Sequence, residues 1–295
     1  MINKLIKLCK RENVLINEPL KNHTTFGCGG GAKAVVFPEN AEQLAEVIKL
    51  LGDEAQVFGN GSNVLVCDEG IDKYAVITTK IKEVKCIGES IYADCGASLA
   101  KLSSVAAENS LAGLEFASGI PGTVAGGIYM NAGAYGGEIN DVICEAYAVD
   151  KEGNKKTFTK KELKLSYRHS VFAENGYIIT GAKFDLSKGN KEVILATMKD
   201  LNQRRKDKQP LEYKSAGSTF KRPEGYFAGQ LIEESGLKGY SVGDAQVSEK
   251  HAGFVINKGN AKASDVLAVI EHCKKTVAEK FGVVLEPEIK ILSKD

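Results

Sequence analysis

The chain is poor in several residue types that often mark a function. Its 295 residues include no tryptophan, three methionines, four histidines and six prolines. No apolar run approaches the roughly 18 residues that cross a bilayer, so no membrane-spanning helix is predicted. The 39 basic and 38 acidic residues leave a formal net charge of +1. This balance argues against a general binder of nucleic acid or of anionic membranes.

The seven cysteines are odd in number and scattered, and no C-x-x-C pair occurs. Neither a disulfide framework nor a zinc site is therefore indicated, and no metal is expected. Most of the thiols are expected to be small buried side chains in a reducing compartment. Residues 1–11 are expected to form a short amphipathic helix without a signal core, so we expect a cytoplasmic protein.

Glycine, by contrast, is abundant, with 31 residues. The chain length suggests about two domains, and Pro210 marks a boundary because it ends a basic helix. Hydrophobic periodicity and capping residues predict helices at 40–51, 99–109, 192–205, 225–234 and 264–281. Apolar runs between them predict strands at 34–37, 56–58, 64–66, 74–78, 91–94, 147–149, 177–186, 254–256 and 283–291.

The turn at 59–63 reads Gly-Asn-Gly-Ser-Asn and lies between two short predicted strands. It lacks the Gly-Lys pair and the following helix of a P-loop. Such a turn can present successive backbone N–H groups to an anion. It can equally be an ordinary tight hairpin turn, and the pattern alone leaves both interpretations open.

A second glycine-rich run covers residues 117–137 and is rich in small residues. It has too few charges for a disordered linker and too little apolar bulk for a core of its own. Tight packing of backbone around a large flat ligand is one explanation. Small residues at crowded strand crossings are the other.

Three further stretches carry candidate functional groups. The segment 215–223, Ser-Ala-Gly-Ser-Thr-Phe-Lys-Arg-Pro, is either a polar turn or a backbone that approaches a ligand closely. Arg168 lies among apolar neighbours, where a guanidinium either pairs with a carboxylate or faces an anionic ligand. The last predicted strand alternates apolar residues with Glu286, Glu288 and Lys290, which form either a solvated face or a carboxylate held on a rigid element.

Five motifs in this order, at 59–63, 131–136, 167–170, 217–221 and 285–289, resemble those of the UDP-N-acetylenolpyruvoylglucosamine reductase family. The resemblance extends from about His23 to the end of the chain. The sequence departs from the family pattern at Gly27, Cys28, Gly31 and Arg222, which concerns local ligand contacts. The interval from 172 to 192 is short, so the chain resembles the shorter family form, which lacks an extra substrate-covering loop.

The resemblance implies an α+β fold. Residues 1–205 would form an FAD-binding domain of the PCMH or vanillyl-alcohol-oxidase type, with two lobes that divide near 75–80. Residues 206–295 would form a smaller α+β substrate-binding domain, whose last strand returns toward the flavin. The implied cofactors are noncovalent FAD and NADPH as co-substrate. The implied partner is a UDP-sugar enol ether, with no nucleic acid or membrane, and we expect a monomer.

The resemblance also implies roles for individual residues. The catalytic set is Arg168, Ser218 and Glu288, with Ser218 as the proton donor. Substrate contacts are implied for Tyr167, Lys208, Lys221 and Lys238. The implied FAD contacts are Gly59, Asn60, Gly61, Ser62, Asn63, Gly119, Gly122, Thr123, Gly127, Asn131, Ala132 and Gly133.

Two other functions remain open on the sequence. One is an oxidase or dehydrogenase of small alcohols on the same FAD fold, where flavin is often attached covalently. The other is a non-catalytic binder of nucleotide sugars, which would purify colourless. The absorption spectrum of the protein distinguishes these alternatives.

Overall fold

The structure is a computed structural model and describes residues 1–294. The helices are α1 (Ile2–Cys9), α2 (Ala41–Leu51), α3 (Leu99–Glu108), α4 (Val124–Tyr129), α5 (Ile139–Val142), α6 (Lys191–Lys208), α7 (Ala228–Glu234) and α8 (Ala263–Phe281). The strands are β1 (Val14–Leu15), β2 (Ala34–Val36), β3 (Ala55–Phe58), β4 (Val64–Val66), β5 (Tyr74–Ile77), β6 (Val84–Ile87), β7 (Ser90–Asp94), β8 (Leu111–Ala112), β9 (Gly133–Ala134), β10 (Gly137–Glu138), β11 (Ile143–Val149), β12 (Lys155–Thr159), β13 (Ile178–Asp185), β14 (Ser187–Lys188), β15 (Lys214–Ser215), β16 (Ser241–Val242), β17 (Ala245–Val247), β18 (Val255–Asn257) and β19 (Lys290–Leu292).

The chain forms two compact units that do not follow a single cut in the sequence. The first unit comprises Met1–Ile16, Ala34–Asn60 and Lys73–Arg205, and the second comprises Asn17–Lys33, Gly61–Asp72 and the chain from Lys206 onward. The sequence pattern placed all of 1–205 in one domain. The difference arises because β4 pairs in parallel with β19, a partner more than 200 residues away.

The first unit begins with a four-stranded sheet of order β1-β2-β5-β3, in which β2, β5 and β3 run parallel. Helix α2 packs on it, with Leu44, Val47, Ile48 and Leu51 buried. The helix begins where predicted, because the side chain of Asn40 accepts a hydrogen bond from the backbone of Gln43.

The rest of the first unit is built on a five-stranded antiparallel sheet of order β12-β11-β13-β7-β6. One face of this sheet packs against α3 and α4 around buried side chains such as Ile91, Leu102 and Phe184. Alternation along β7 places Tyr92 and Asp94 on the opposite face. The chain leaves the first sheet after Ile77 and enters the second at Val84.

The second unit is a four-stranded sheet of order β15-β18-β17-β16 covered by α7 and α8. Helix α8 buries Val266, Val269, Ile270, Cys273 and Val277, and Gly282 ends it in a left-handed conformation. Both units combine helices with sheets, so the predicted α+β class is confirmed.

Two local predictions were wrong. The final strand was expected over 283–291, but only Lys290–Leu292 forms one. Pro287 interrupts the ladder because proline has no N–H to donate, and it forms an isolated bridge with Phe220 instead. No helix was predicted within 117–137, but Val124–Tyr129 forms helix α4. Among residues 1–294, no helix is both long and apolar enough to cross a membrane.

Candidate active site

The turn at 59–63 is not a hairpin turn, because β3 pairs with β5 and β4 pairs with β19. The first residues of this turn contact the second glycine-rich run instead. The side chain of Asn60 donates a 3.0 Å hydrogen bond to the carbonyl oxygen of Pro121. A Cβ atom at Gly59 would collide with the hydroxyl of Thr123. Two runs about sixty residues apart therefore form one loop cluster in the first unit.

Thr123 caps helix α4, and its hydroxyl accepts a hydrogen bond from the backbone of Gly126. The first N–H groups of the helix also have partners, because those of Val124 and Ala125 donate to the carbonyl oxygens of Ala97 and Cys95 at 2.8 and 2.9 Å. Crowding explains some of the other small residues: a side chain at Gly127 would lie 3.2 Å from Leu99, and one at Gly133 would lie 2.9 Å from Glu138. Crowding therefore accounts for these two glycines, and the ligand explanation of the run stays a prediction.

Arg205 was interpreted from the sequence only as one of the cations that end a helix. In the structure its guanidinium donates a hydrogen bond to the carbonyl oxygen of Gly119. Its Nε atom is buried and has no hydrogen-bond partner among the described residues. Burial lowers the pKa of this guanidinium, whereas Tyr135 raises it. The sequence could not show that this polar atom is both buried and without a partner.

The segment carrying Arg168 is a tight hairpin in the first unit. Ser166 and His169 exchange two backbone hydrogen bonds of 3.2 and 3.1 Å across its tip. Arg168 takes a left-handed conformation with φ 56°, and its guanidinium carbon lies 5.0 Å from the centre of the Tyr167 ring. Tyr167 is 53% exposed. The turn thus presents two of the candidate residues side by side at its tip.

Asn131 positions this hairpin. Its side chain is fully buried, donates a 3.1 Å hydrogen bond to the carbonyl oxygen of Ser166 and accepts one of 2.9 Å from the backbone of Asn140. It adopts φ 42°, a conformation that asparagine tolerates better than most residues. Because its side chain is already bound, any contact of Asn131 with FAD would come from its backbone.

The second half of the turn at 59–63 lies in the second unit. Gly61 has φ 60°, and a Cβ atom there would collide with the carbonyl oxygen of His23 and come within 2.9 Å of Thr24. The hydroxyl of Thr24 is buried and has no hydrogen-bond partner among the described residues. Sequence reasoning did not identify Thr24.

Asn63 ties the same turn to the last segment of the chain. Its side chain donates to the carbonyl oxygen of Glu288 at 3.2 Å, and its own carbonyl oxygen accepts from the backbone of Lys290 at 2.9 Å. A predicted FAD contact and a predicted catalytic residue are therefore joined directly. Ser62, between Gly61 and Asn63 in the sequence, is half-buried.

Ser218 is exposed between buried residues. Ala216, Thr219 and Phe220 are 2%, 1% and 4% exposed, whereas Ser218 faces solvent. Gly217, with φ 76°, allows the chain to turn between the buried Ala216 and the exposed Ser218. The hydroxyl of Thr219 accepts a 2.9 Å hydrogen bond from the backbone of Val255, so Ser218 projects from a fixed backbone.

Of the predicted substrate lysines, Lys221 and Lys238 form ion pairs with Glu286 and Glu233 at 3.0 and 2.6 Å. Burial is the main cause that lowers the pKa of His251, and the charges of Lys238 and Lys208 lower it further. Lys208 and Lys238 therefore both lower the pKa of the same imidazole.

Cys28 is not a reactive thiol. It is 3% exposed, and burial, with a smaller contribution from Asp68, raises its pKa to about 12. A buried, protonated thiol packs as a small apolar side chain.

These loops suit the phosphates of FAD. Three buried polar atoms lack a partner in the described chain, and two of them, Thr24 Oγ1 and Arg205 Nε, lie beside Gly61 and Gly119. Both can donate a hydrogen bond. A dinucleotide with anionic oxygens would satisfy donors of this kind.

Comparison with known proteins supports this interpretation. Residues 32–159 match the model of a family described as an FAD binding domain. Residues 209–292 match the model of the C-terminal domain of UDP-N-acetylenolpyruvoylglucosamine reductase. The two matched ranges together contain the turn at 59–63, the hairpin-positioning Asn131, and both Ser218 and Glu288.

Whole-chain relatives agree. The UDP-N-acetylenolpyruvoylglucosamine reductase of Caldanaerobacter subterraneus subsp. tengcongensis is 48% identical, over 99% of this chain and 98% of that protein. That of Clostridium tetani is 50% identical, over 100% of this chain and 97% of that protein. The crystal structure of the Thermus caldophilus reductase is 36% identical and superposes with a TM-score of 0.82, over 93% of this chain and 97% of that one. The chain therefore belongs to the UDP-N-acetylenolpyruvoylglucosamine reductase family.

Proposed function

We propose that this chain reduces the enolpyruvyl group of UDP-N-acetylglucosamine enolpyruvate to give UDP-N-acetylmuramate, a step of peptidoglycan precursor synthesis. FAD is the cofactor and NADPH the co-substrate. Family membership over nearly the full length supports the reaction, and the match to an FAD binding domain supports the cofactor. A cytoplasmic, monomeric protein is part of the proposal.

The residues assigned to FAD are those that the family resemblance implies, together with two buried donors that lack a partner in the described chain, the Thr24 hydroxyl and Arg205 Nε. In the first unit they are the loops at Gly59, Asn60, Gly119, Gly122 and Thr123, with the guanidinium of Arg205. The backbone from Gly127 to Gly133 continues this surface. In the second unit they are Gly61, Ser62 and Asn63, with the hydroxyl of Thr24. FAD held there would supply the hydride chemistry, with NADPH as the source of the hydride and the β-carbon of the enolpyruvyl group as its acceptor.

Addition of hydride at the β-carbon leaves negative charge on the α-carbon and on the adjoining carboxylate. Preorganised cations and hydrogen-bond donors stabilise such charge where it develops. We assign this role to Arg168, whose planar guanidinium can hold a carboxylate at two points. Its place at the tip of a two-residue turn, fixed through Asn131, supports the assignment.

Glu288 is assigned to the same enolate, either as a protonated acid or through a bridging cation or water. Two hydrogen bonds hold its backbone. The N–H of Glu288 donates to the carbonyl oxygen of Thr219, and the carbonyl oxygen of Glu288 accepts from the side chain of Asn63. This anchoring is what a group with a positional role requires.

The α-carbon must then receive a proton, and we assign its donor as Ser218. The serine O–H bond breaks as the C–H bond forms, and solvent returns a proton to the serine oxygen. Serine is a weak acid, but an enolate is a strong base, so the transfer is chemically feasible. The single observation that carries the assignment is the exposed hydroxyl of Ser218 between buried, hydrogen-bonded neighbours.

The remaining contacts concern the UDP group. Lys208 and Lys238 are assigned to the diphosphate, because both influence one imidazole and a diphosphate needs concentrated positive charge. Lys221 and Tyr167 are assigned to the rest of the substrate.

The test is an absorption spectrum followed by a turnover assay. The purified protein should be yellow, release about one FAD per chain on denaturation, and oxidise NADPH only when the enolpyruvyl substrate is present. A folded protein that neither carries nor takes up FAD would disprove the proposal. FAD without turnover of this substrate would instead favour the alcohol oxidase or dehydrogenase alternative.

A further inference from the structure

The five-stranded sheet of the first unit has a cavity on the face that Tyr92 and Asp94 share. Its volume is about 400 Å³, which lies within the usual range of small-molecule sites. The start of α2 borders it at Ala41, and residues from β6, β7, β11, β12 and β13 line it. None of its lining residues has been assigned to FAD or to the UDP-sugar.

The floor of the cavity is set by strand register. Gly181 is paired with Tyr147 on one side and with Asp94 on the other. A Cβ atom at Gly181 would lie 3.0 Å from the carbonyl oxygen of Ala93 and 3.6 Å from the Tyr147 ring. Glycine therefore leaves room for the tyrosine ring along the floor and opens a cleft between that ring and Asp94.

The lysines that line the cavity already have carboxylate partners. The pairs are Lys85 with Glu83 at 2.8 Å, Lys155 with Glu42 at 3.1 Å, and Lys156 with Glu162 at 3.6 Å. Their positive charges are therefore compensated within the described chain.

Asp94, unlike the three lysines, has no oppositely charged partner in an ion pair among the described residues. One of its oxygens accepts a 2.8 Å hydrogen bond from the backbone of Glu83. No lysine, arginine or histidine of residues 1–294 forms an ion pair with its carboxylate. Burial is the main cause that raises its pKa, and the charges of Glu83 and Glu42 raise it further, whereas the hydrogen bond from the Glu83 backbone and the charge of Lys85 lower it. The cavity thus contains a carboxylate that forms no ion pair in the described part of the chain, beside two tyrosine rings.

We propose that this cavity binds a small primary amine, whose ammonium group pairs with Asp94 and whose apolar part lies against the rings of Tyr92 and Tyr147. A carboxylate and aromatic faces are the groups that together recognise an organic cation. The two tyrosines are close enough that Tyr92 contributes to the raised pKa of Tyr147. An anionic ligand would instead bind near the start of α2 at Ala41. The experiment distinguishes this alternative from binding of an amine.

The experiment uses benzylamine as the probe, with benzyl alcohol and benzoate as neutral and anionic analogues of the same size. Binding to the FAD-loaded protein is followed by ¹⁵N amide NMR of residues around Gly181. Benzylamine should produce saturable shifts. Asp94→Asn should weaken its binding by about 10- to 100-fold, the effect of losing a charge-assisted hydrogen bond. The amide retains an acceptor for the Glu83 N–H, so the fold should persist.

Asp185→Asn is the matched control, because Asp185 lies on the same sheet, interacts with Lys183 and Ser90, and does not line the cavity. It should leave benzylamine binding unchanged. No saturable shift with benzylamine, equal binding to the Asp94→Asn variant, or tighter binding of benzoate would each overturn the proposal.

Discussion

The backbone N–H of Glu288 donates a 2.8 Å hydrogen bond to the carbonyl oxygen of Thr219. The backbone of Lys221 donates an equivalent bond to the carbonyl oxygen of Glu286. The segment that carries Ser218 and the segment that carries Glu288 therefore form one short ladder, although about seventy residues separate them. Any change that disturbs either segment will move both candidate catalytic residues.

Ser218→Ala should separate the two half-reactions. The serine proton has no part in the reduction of FAD by NADPH, so flavin bleaching in anaerobic stopped flow should stay near the wild-type rate. Reoxidation by the enolpyruvyl substrate needs a proton at the α-carbon and should slow by roughly 100- to 10,000-fold. A thermal melt, expected to be unchanged, accompanies the kinetics. Equal slowing of both half-reactions would contradict the donor role and place Ser218 in the shaping of the flavin pocket.

Thr24→Val should weaken FAD binding while stabilising the apoprotein. Valine matches threonine in shape and removes a buried hydroxyl that has no partner, so apoprotein stability should rise by about 1 kcal/mol. Loss of a hydrogen bond to a phosphate should reduce FAD affinity by roughly 10- to 100-fold. Flavin fluorescence titration and urea unfolding measure the two effects.

Thr25→Val is the neighbouring control for this prediction, because the Thr25 hydroxyl donates to the carbonyl oxygen of Ser215 and is already satisfied. It should destabilise the apoprotein. Unchanged FAD affinity in Thr24→Val would show that the hydroxyl does not meet the cofactor. Gly61→Val is a poorer test, because its side chain would collide with the carbonyl oxygen of His23 whether or not FAD binds.

Arg168→Lys should reduce turnover by at least roughly tenfold although the charge is kept, because an ammonium cannot hold a carboxylate at two points. Both residues bear the same backbone strain at φ 56°, so the comparison isolates the head group. Steady-state kinetics at saturating substrate is the measurement. Lys183→Arg, a change of cation head group on the sheet, serves as the control. Near-normal turnover would make Arg168 a structural residue.

Asp94→Asn should raise stability at neutral pH. Burial raises the folded-state pKa of Asp94 above its ordinary value, so ionisation is less favourable in the folded chain than in the unfolded one. The folded protein is therefore destabilised as the pH rises from the pKa of Asp94 in the unfolded chain through its pKa in the folded chain. The amide side chain of the variant does not ionise, so the variant avoids this loss. The difference from wild type in urea unfolding should shrink as the pH falls toward about 4. A difference independent of pH would point to packing instead of charge.

Much of the local structure follows from the sequence. Capping and a 3.6-residue period located α2 and α8 within one or two residues, because local hydrogen bonds and one apolar face decide where a helix begins and ends. The order of five motifs was enough to indicate the family, and whole-chain relatives confirmed it. The α+β class also follows from residue types and their pattern.

Tertiary structure alone decided which distant segments meet. Periodicity does not say that β4 pairs with β19, so the turn at 59–63 could not be told from a hairpin turn. The same limit hid Thr24 and Arg205, whose unsatisfied atoms become visible only once burial is known. It also hid the unpaired carboxylate of Asp94, since its neighbours come from other strands of the sheet. A hydrophobic pattern records which side of an element is buried, whereas the partner across the interface depends on chain topology, which local sequence does not encode.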